Sequence, residues 1–219
     1  MKRDYDVILF DLDGTLLDTG EGITKCAQYA LSKFGIEVND LSELNYFVGP
    51  PLKDSFVEYA NIPEEKAGEA IRIYRERYTT VGLYECDIYE GIQQVLQACR
   101  NAGKKLIVTT SKPEEMAVKI LKHMGLAQYF DFIGGAKMDE TRGTKAEVIH
   151  YALEAARLEQ VDKSRMILVG DRKFDVYGAT ECGISCLGVL YGYGDRQELE
   201  EAGAFAIAET PEDILQVVL

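Results

Sequence analysis

An apolar run near the start of the chain ends abruptly in two carboxylates, and no other feature limits the possible folds as strongly. Residues 7–10 are Val-Ile-Leu-Phe, and Asp11 and Asp13 follow, before Gly14 and Thr15. A continuous apolar run of this kind is typical of a strand covered on both faces, as in a parallel sheet. Ligand sites of open parallel sheets lie beyond the carboxyl ends of the strands, so we expect both acids at such a site.

The closeness of Asp11 and Asp13 predicts a divalent cation. Burying two carboxylates side by side is unfavourable unless a cation or a shared proton compensates, and hard oxygen donors favour Mg²⁺. A calcium loop would need a further Asp or Asn before the glycine and a Glu at its end. Here Thr15 follows Gly14, and nothing completes that loop. A solvated turn is the simpler alternative, because Asp and Gly favour turns.

Composition and charge limit the possible partners. The 219 residues are 47% hydrophobic, enough for a sizeable core, and the net charge is −13. We expect no nucleic-acid partner, because that class of protein needs a basic patch, and any phosphate site must be built locally. The five cysteines are an odd number and form no Cys-x-x-Cys pair, which favours reduced thiols. Residues 1–6 carry no apolar signal core and no stretch would span a membrane, so we expect a cytoplasmic protein.

The order of predicted elements indicates an α/β fold with an insertion. Strands and helices alternate from about residue 89 onward, which predicts a doubly wound (Rossmann-like) parallel sheet. Residues 18–81 have helical patterns only, and they are far longer than a usual crossover between strands. We therefore expect a core domain of residues 1–16 and 82–219 and an inserted small α-helical cap domain of residues 17–81. The strands of the core are predicted at 7–10, 105–110, 130–134, 166–169 and 184–189, and its helices at 92–102, 113–124, 144–157 and 176–182.

Polar residues follow three further predicted strands. Thr109 and Thr110 end the second, Lys145 opens a later helix, and Asp171 and Asp175 follow the fourth. Each has a simple explanation alone: helix capping for the threonines and Asp171, a surface ion pair with Arg172 or Lys173 for Asp175, and a solvated surface for Lys145. Taken together with Asp11 and Asp13, they gather at the strand ends of one sheet, which predicts a site.

These residues resemble the four motifs of the haloacid dehalogenase superfamily of phosphatases, in the right order and over nearly the whole chain. The insertion is similar to the small cap of that superfamily. Residues 49–52, 170–175 and 188–194 resemble its phosphoglycolate phosphatase-like and 5′-nucleotidase-like branch. The motifs are Asp11-Leu12-Asp13-Gly14-Thr15, Thr110-Ser111-Lys112-Pro113, Lys145, and Gly170-Asp171 with Asp175.

The resemblance implies a role for each motif residue. Asp11 would attack phosphorus and form an aspartyl-phosphate, and Asp13 would protonate the leaving oxygen and then activate water. Mg²⁺ would be held by Asp11, the backbone carbonyl of Asp13 and Asp171, and Asp175 would either orient its waters or bind it directly. The phosphoryl oxygens would be bound by Thr110, Ser111 and Lys145, with Thr109 as an alternative to Thr110.

The cap is where we expect substrate choice, through Asp18, Pro50 and Lys53, with Thr19, Arg75 and Tyr78 as further candidates. The predicted function is a Mg²⁺-dependent phosphomonoesterase, a monomer or homodimer, that acts on a small phosphorylated metabolite such as phosphoglycolate or a nucleoside 5′-monophosphate.

Three alternatives stay open. A sugar phosphomutase usually carries a histidine early in the cap, and residues 18–25 have none. A phosphonatase needs a cap lysine for a Schiff base, for which Lys25 or Lys53 is available. A non-catalytic phosphate or metal sensor could use the same fold, although it would not need the acid at Asp13.

Overall fold

A computed structural model of the chain describes residues 4–138 and 141–219, and the chain divides into two units. The first unit consists of Met1–Leu17 and Ile88–Leu219, and the second of Asp18–Asp87. No helix in the described part of the chain is long and apolar enough to cross a bilayer.

The second boundary lies six residues after the predicted position at 81/82, since the division falls after Asp87. Contacts inside the second unit explain the difference. The N–H of Gly22 donates to the carbonyl of Glu85 at 3.0 Å, and Arg77 forms an ion pair with the Glu85 side chain at 2.6 Å. These bonds hold the 3-10 helix Gly82–Tyr84 and the residue after it to the helical unit.

The first unit is built on a six-stranded parallel sheet with the order β5-β4-β1-β6-β7-β8. This confirms the predicted doubly wound α/β fold. Strand β1 lies at the centre, with Val7 opposite both Lys105 and Met166. The strands of this sheet are β1 (Val7–Phe10), β4 (Lys105–Pro113), β5 (Phe132–Ala136), β6 (Met166–Gly170), β7 (Ser185–Val189) and β8 (Ala206–Ala208).

Both faces of β1 are buried, as its sequence predicts. Val7 and Leu9 pack in one core cluster with Ile149 and Val176. Side chains alternate across a strand, so the equally buried Ile8 and Phe10 point to the opposite face. The helices of this unit are α4 (Ile92–Asn101), α5 (Glu114–His123), α6 (Lys145–Ala155), α7 (Lys173–Glu181), α8 (Arg196–Ala202) and α9 (Asp213–Val218).

Some bounds differ from the predicted ones, for local reasons. Strand β4 continues to Pro113, past the predicted end at 110, and its register shifts between Thr110 and Pro113. Helix α7 begins at Lys173, because the Asp175 side chain accepts from the Arg172 N–H at 3.0 Å and caps an earlier turn. Helix α6 begins where predicted, at a capping box of Thr144 and Glu147.

The second unit is mostly helical, and Phe56 packs edge to face against two other aromatic rings in its core. Phe56 lies 4.8 Å from Phe47 and 6.4 Å from Tyr74, measured between ring centroids. Residues 52–59 are helical, first as an α-helix and then as a π-helix. The elements of this part are β2 (Leu17–Asp18), α1 (Gly20–Ser32), a 3-10 helix (Leu41–Phe47), α2 (Leu52–Asp54), the π-helix (Ser55–Tyr59), α3 (Glu64–Tyr78) and β3 (Asp87–Ile88), with β2 paired to β3.

Candidate active site

Asp11 lies directly after the central strand and is fixed there by the backbone. Its N–H donates to the carbonyl of Val169 in β6 at 2.9 Å. Its Oδ1 atom lies 2.9 Å from the Nζ of Lys145. Burial raises the pKa of the Asp11 carboxyl to about 7, because the charge of Lys145 offsets only part of the lost hydration and Asp175 adds repulsion. Further positive charge near this carboxyl would favour its ionised form.

Lys145 supplies part of that charge from the first residue of α6. Its Nζ lies 2.7 Å from Asp175 Oδ1 and donates to the carbonyl of Thr109 at 3.0 Å. Burial alone would lower the pKa of Lys145, but Asp11 and Asp175 outweigh it and raise the pKa above its ordinary value. Lys145 is therefore a buried ammonium, 6% exposed, and the solvated surface lysine considered from the sequence is excluded. A Cβ on Gly178 of α7 would lie 2.6 Å from the Lys145 Cβ, so that position must stay small.

Asp171 and Asp175 complete a cluster of buried acids. One carboxylate oxygen each from Asp11, Asp171 and Asp175 lies within 4.8 Å of the others. Asp171 accepts from the Tyr193 N–H at 2.8 Å and from the Thr15 hydroxyl at 3.4 Å. Burial, followed by the charges of Asp175 and Asp11, raises the pKa of Asp171 well above its usual range. Three buried oxygen donors with uncompensated negative charge fit a hard divalent cation such as Mg²⁺.

Three glycines make room for Asp171. A Cβ on Gly14 would lie 2.1 Å from Asp171 Oδ2, one on Gly192 2.5 Å from the Asp171 Cβ, and one on Gly194 2.0 Å from its carbonyl oxygen. Gly14 also has φ +78°, a conformation that other residues rarely adopt. Sequence reasoning gave Gly192 and Gly194 no chemical role. The sequence feature that could have indicated such a role is the Gly-x-Gly pair just beyond a predicted strand.

Asp13 pairs with Lys112, a residue of the second motif to which sequence reasoning gave no role of its own. The Lys112 Nζ donates to both carboxylate oxygens of Asp13, at 2.8 and 2.9 Å, and Lys112 is 8% exposed. Lys112 lies between Thr110 and Pro113, where the register of β4 shifts. The sequence feature that could have indicated a role for Lys112 is its position directly after a Thr-Ser pair at a strand end. The metal-binding role predicted for the backbone carbonyl of Asp13 stays a prediction.

The predicted phosphate-binding hydroxyls lie beside these lysines. Thr109 and Thr110 are both buried, and the hydroxyl of Thr110 accepts from the backbone N–H of Lys112 at 3.2 Å. The backbone carbonyl of Thr109 accepts a hydrogen bond from the Lys145 Nζ. Ser111 is half-buried. The choice between the two threonine hydroxyls, and the role of Ser111, stay predictions.

The predicted substrate contacts of the cap lie in the second unit. Asp18 is exposed and accepts from the Gly20 N–H at 3.3 Å. Pro50 is half-buried, and Lys53 forms an exposed ion pair with Glu64 at 2.9 Å. Their roles toward a substrate stay predictions.

The further cap candidates differ in burial. Thr19 is buried, and Arg75 is half-buried on α3. Tyr78 is buried and stacks on Tyr74 with ring centroids 5.3 Å apart, so it packs within the unit. Any substrate contact of the three stays a prediction.

Comparisons with known proteins agree with this geometry. Residues 8–189 match the haloacid dehalogenase-like hydrolase family. A 5′-nucleotidase of Pseudomonas aeruginosa is 42% identical over 195 residues, 89% of this chain and 87% of that protein. The tyrosine-protein kinase PtkA of Mycobacterium tuberculosis is 39% identical over 188 residues, 86% of this chain and 63% of the kinase. The crystal structure of a predicted phosphatase from Clostridium acetobutylicum superimposes with a TM-score of 0.90 at 44% identity, covering 99% of this chain and 100% of the other.

The family match includes Asp13, both buried lysines and all three clustered acids. The resemblance inferred from the motifs is thereby confirmed. The chain belongs to the haloacid dehalogenase-like hydrolases, and within that family it is a phosphatase, a phosphoric monoester hydrolase.

Proposed function

We propose that this phosphatase is Mg²⁺-dependent and hydrolyses a small phosphorylated metabolite through an aspartyl-phosphate on Asp11. One observation carries the proposal: the Asp11 carboxylate lies 2.9 Å from a buried ammonium, in a cluster of three acids whose oxygens lie within 4.8 Å of one another. A carboxylate in that setting has a fixed orientation and is shielded from water, and a nearby cation stabilises its charged form.

The residues that would hold the cation are Asp11, Asp171 and Asp175, together with the backbone carbonyl of Asp13. When bound, Mg²⁺ supplies positive charge that offsets the charge of the phosphoryl oxygens and the repulsion between the acids. Lys145 supports the same arrangement from the protein side, since it already bridges Asp11 and Asp175 at 2.9 and 2.7 Å.

In the first step a carboxylate oxygen of Asp11 forms a bond to phosphorus, and the bond from phosphorus to the substrate oxygen breaks. Asp13 gives its proton to that oxygen, which leaves as an alcohol. In the second step Asp13 takes a proton from water, whose oxygen attacks the same phosphorus and releases inorganic phosphate and free Asp11. Lys145 and the hydroxyls of Thr110 and Ser111 would bind the remaining phosphoryl oxygens.

Nucleoside 5′-monophosphates are the leading substrate class, and phosphoglycolate is the other. The relative named 5′-nucleotidase supports the first at 42% identity over most of both chains. The net charge of −13 makes long-range attraction of a phosphate unfavourable, so recognition must come from Lys145 and neighbouring donors at the site.

A second candidate function is phosphoryl transfer from ATP to a tyrosine hydroxyl. The 39% identity to the tyrosine-protein kinase PtkA favours it, although this chain spans only 63% of that protein. The two functions differ in what accepts the phosphoryl group, which is water in one and a phenol in the other.

A substrate panel tests the proposal. Phosphate release is measured from nucleoside 5′-monophosphates, phosphoglycolate, sugar phosphates, a phosphonate and an aryl phosphate, with Mg²⁺ or EDTA. We expect Mg²⁺-dependent release that Asp11→Asn abolishes, with one metabolite class far ahead. Isomerised sugar phosphate, cleaved phosphonate, or phosphotyrosine formed from ATP would each replace the proposed function with the corresponding alternative. Mg²⁺ binding with no turnover of any kind would indicate a sensor.

A further inference from the structure

Residues 192–198, here called the clamp segment, lie across the loop that carries Asp171. The Tyr193 N–H donates to Asp171 Oδ2 at 2.8 Å. The backbone of Gly194 comes so close that a Cβ there would lie 2.0 Å from the Asp171 carbonyl oxygen. The position of Asp171 is therefore set by its own strand and also by this segment.

Glu198, at the end of the clamp segment, binds the two residues that follow Asp171. Its Oε1 accepts from the Arg172 Nε at 2.8 Å and from the Lys173 N–H at 2.9 Å. Its Oε2 lies 3.4 Å from Arg172 Nη2. The Glu198 side chain is 20% exposed and the Arg172 side chain 17%, so water competes weakly for this contact. One carboxylate thus fixes a guanidinium and a backbone amide together.

The fixed residues in turn orient Asp175. The Arg172 N–H donates to Asp175 Oδ2 at 3.0 Å, and Lys173 is the first residue of α7, which carries Asp175 toward the cluster. Glu198 is itself held, because its N–H donates to the Asp195 side chain at 2.8 Å. The contacts run continuously from Glu198 through Arg172 to both acids.

We propose that Glu198 is a positioning residue for the cation site: by fixing Arg172 and Lys173 it holds Asp171 and Asp175 at the spacing that a divalent cation requires. This inference rests on the proposed function. Three mutually repelling carboxylates move apart unless the backbone restrains them. Without that restraint, part of the binding free energy of the cation is used to bring them back together, and binding is weaker. Partners that orient metal ligands in this way change metal affinity or activity by about 10–100-fold when they are removed.

The test is Mg²⁺ titration of Glu198→Gln by calorimetry and by the Mg²⁺-induced rise in melting temperature. We expect the dissociation constant to rise at least about tenfold, with the half-saturating Mg²⁺ concentration for turnover rising in parallel and kcat at saturating Mg²⁺ changing less. Glu200→Gln is the matched control, because Glu200 lies on the same helix and its side chain forms an exposed ion pair with Arg196 at 3.4 Å. It should bind Mg²⁺ like the wild type.

The outcomes separate this inference from the proposed function. Wild-type binding that Glu198→Gln leaves unchanged overturns the inference alone, even if the variant is less stable. A wild-type protein that binds no Mg²⁺ overturns the proposed function and the inference together. If Glu198→Gln does not fold, Arg172→Gln removes the other half of the contact, and unchanged Mg²⁺ affinity in that variant overturns the inference equally.

Discussion

Both carboxylate oxygens of Asp13 lie within hydrogen-bond distance of the Lys112 ammonium, at 2.8 and 2.9 Å. The pair gives the Asp13 carboxylate one defined orientation. In the proposed reaction Asp13 transfers the proton, so its placement by Lys112 matters for leaving-group departure and for water activation.

Replacing Lys112 by methionine should therefore lower kcat by about tenfold or more, since positioned acid–base groups contribute about 10²–10⁴-fold. The loss should be larger for an alkyl phosphate than for an aryl phosphate with a good leaving group, because the latter needs less protonation. Steady-state kinetics with both substrates measures this, with Lys119→Met on the exposed part of α5 as the control. Equal losses for both substrates would contradict the role of the pair.

Asp171→Asn tests the electrostatic cost of the acid cluster. Burial and two neighbouring carboxylates raise the pKa of Asp171, so its charged form destabilises the metal-free protein near neutral pH. In EDTA at pH 8 the variant should melt higher than the wild type, by about 2–4 °C for each kcal/mol gained. It should also lose the Mg²⁺-induced rise in melting temperature. A lower melting temperature in EDTA would show that Asp171 stabilises the metal-free fold.

The pH dependence of Mg²⁺ binding follows from the pKa of Asp11, which burial raises from an ordinary 3.8 to about 7. Between these values the folded state holds a proton that the unfolded state has lost, so metal-free stability falls as pH rises through this window. Mg²⁺ competes with that proton. The Mg²⁺-induced gain in melting temperature should therefore grow from about pH 5.5 to about pH 8.5. A gain that is constant or falls with pH would contradict the assignment of Asp11 as a ligand.

Gly194→Ala tests the close approach of the clamp segment to Asp171. The added methyl would lie 2.0 Å from a backbone oxygen, so the segment or the Asp171 loop must move. Overpacking of this kind costs about 1–3 kcal/mol. We expect a lower melting temperature and weaker Mg²⁺ binding, measured by thermal unfolding with and without Mg²⁺. Gly68→Ala is the control, because nothing lies within 4 Å of its Cβ position; equal behaviour of both variants would show that the clamp segment yields easily.

The sequence was sufficient for the fold and for the acids because both depend on local patterns. The apolar run before Asp11 predicts a buried central strand. The position of Asp171 and Asp175 soon after a predicted strand places both acids at the same edge of the sheet. Lys145 was different, since alone it indicated a solvated surface, and only its combination with the acids, together with the family resemblance, placed it in the site.

The contacts that sequence reasoning missed depend on tertiary packing. Lys112 reaches Asp13 across 99 positions, past a register shift in β4 that no local pattern indicates. Glu198 accepts a hydrogen bond from Arg172, 26 residues earlier in the chain. It lies on a short helix whose charged residues are typical of a solvated surface. The boundary after Asp87 similarly depends on ion pairs of Glu85 rather than on a break in the helical pattern.

Trapping the phosphorylated enzyme tests the central claim most directly. After acid quenching of the wild type and of Asp13→Asn during turnover of a radiolabelled substrate, peptide mapping should find hydroxylamine-sensitive phosphate on Asp11. The label should accumulate in Asp13→Asn, which lacks the base for the second step, and be absent from Asp11→Asn. Full turnover by Asp11→Asn, or label on any other residue, would contradict the assignment of Asp11 as the nucleophile.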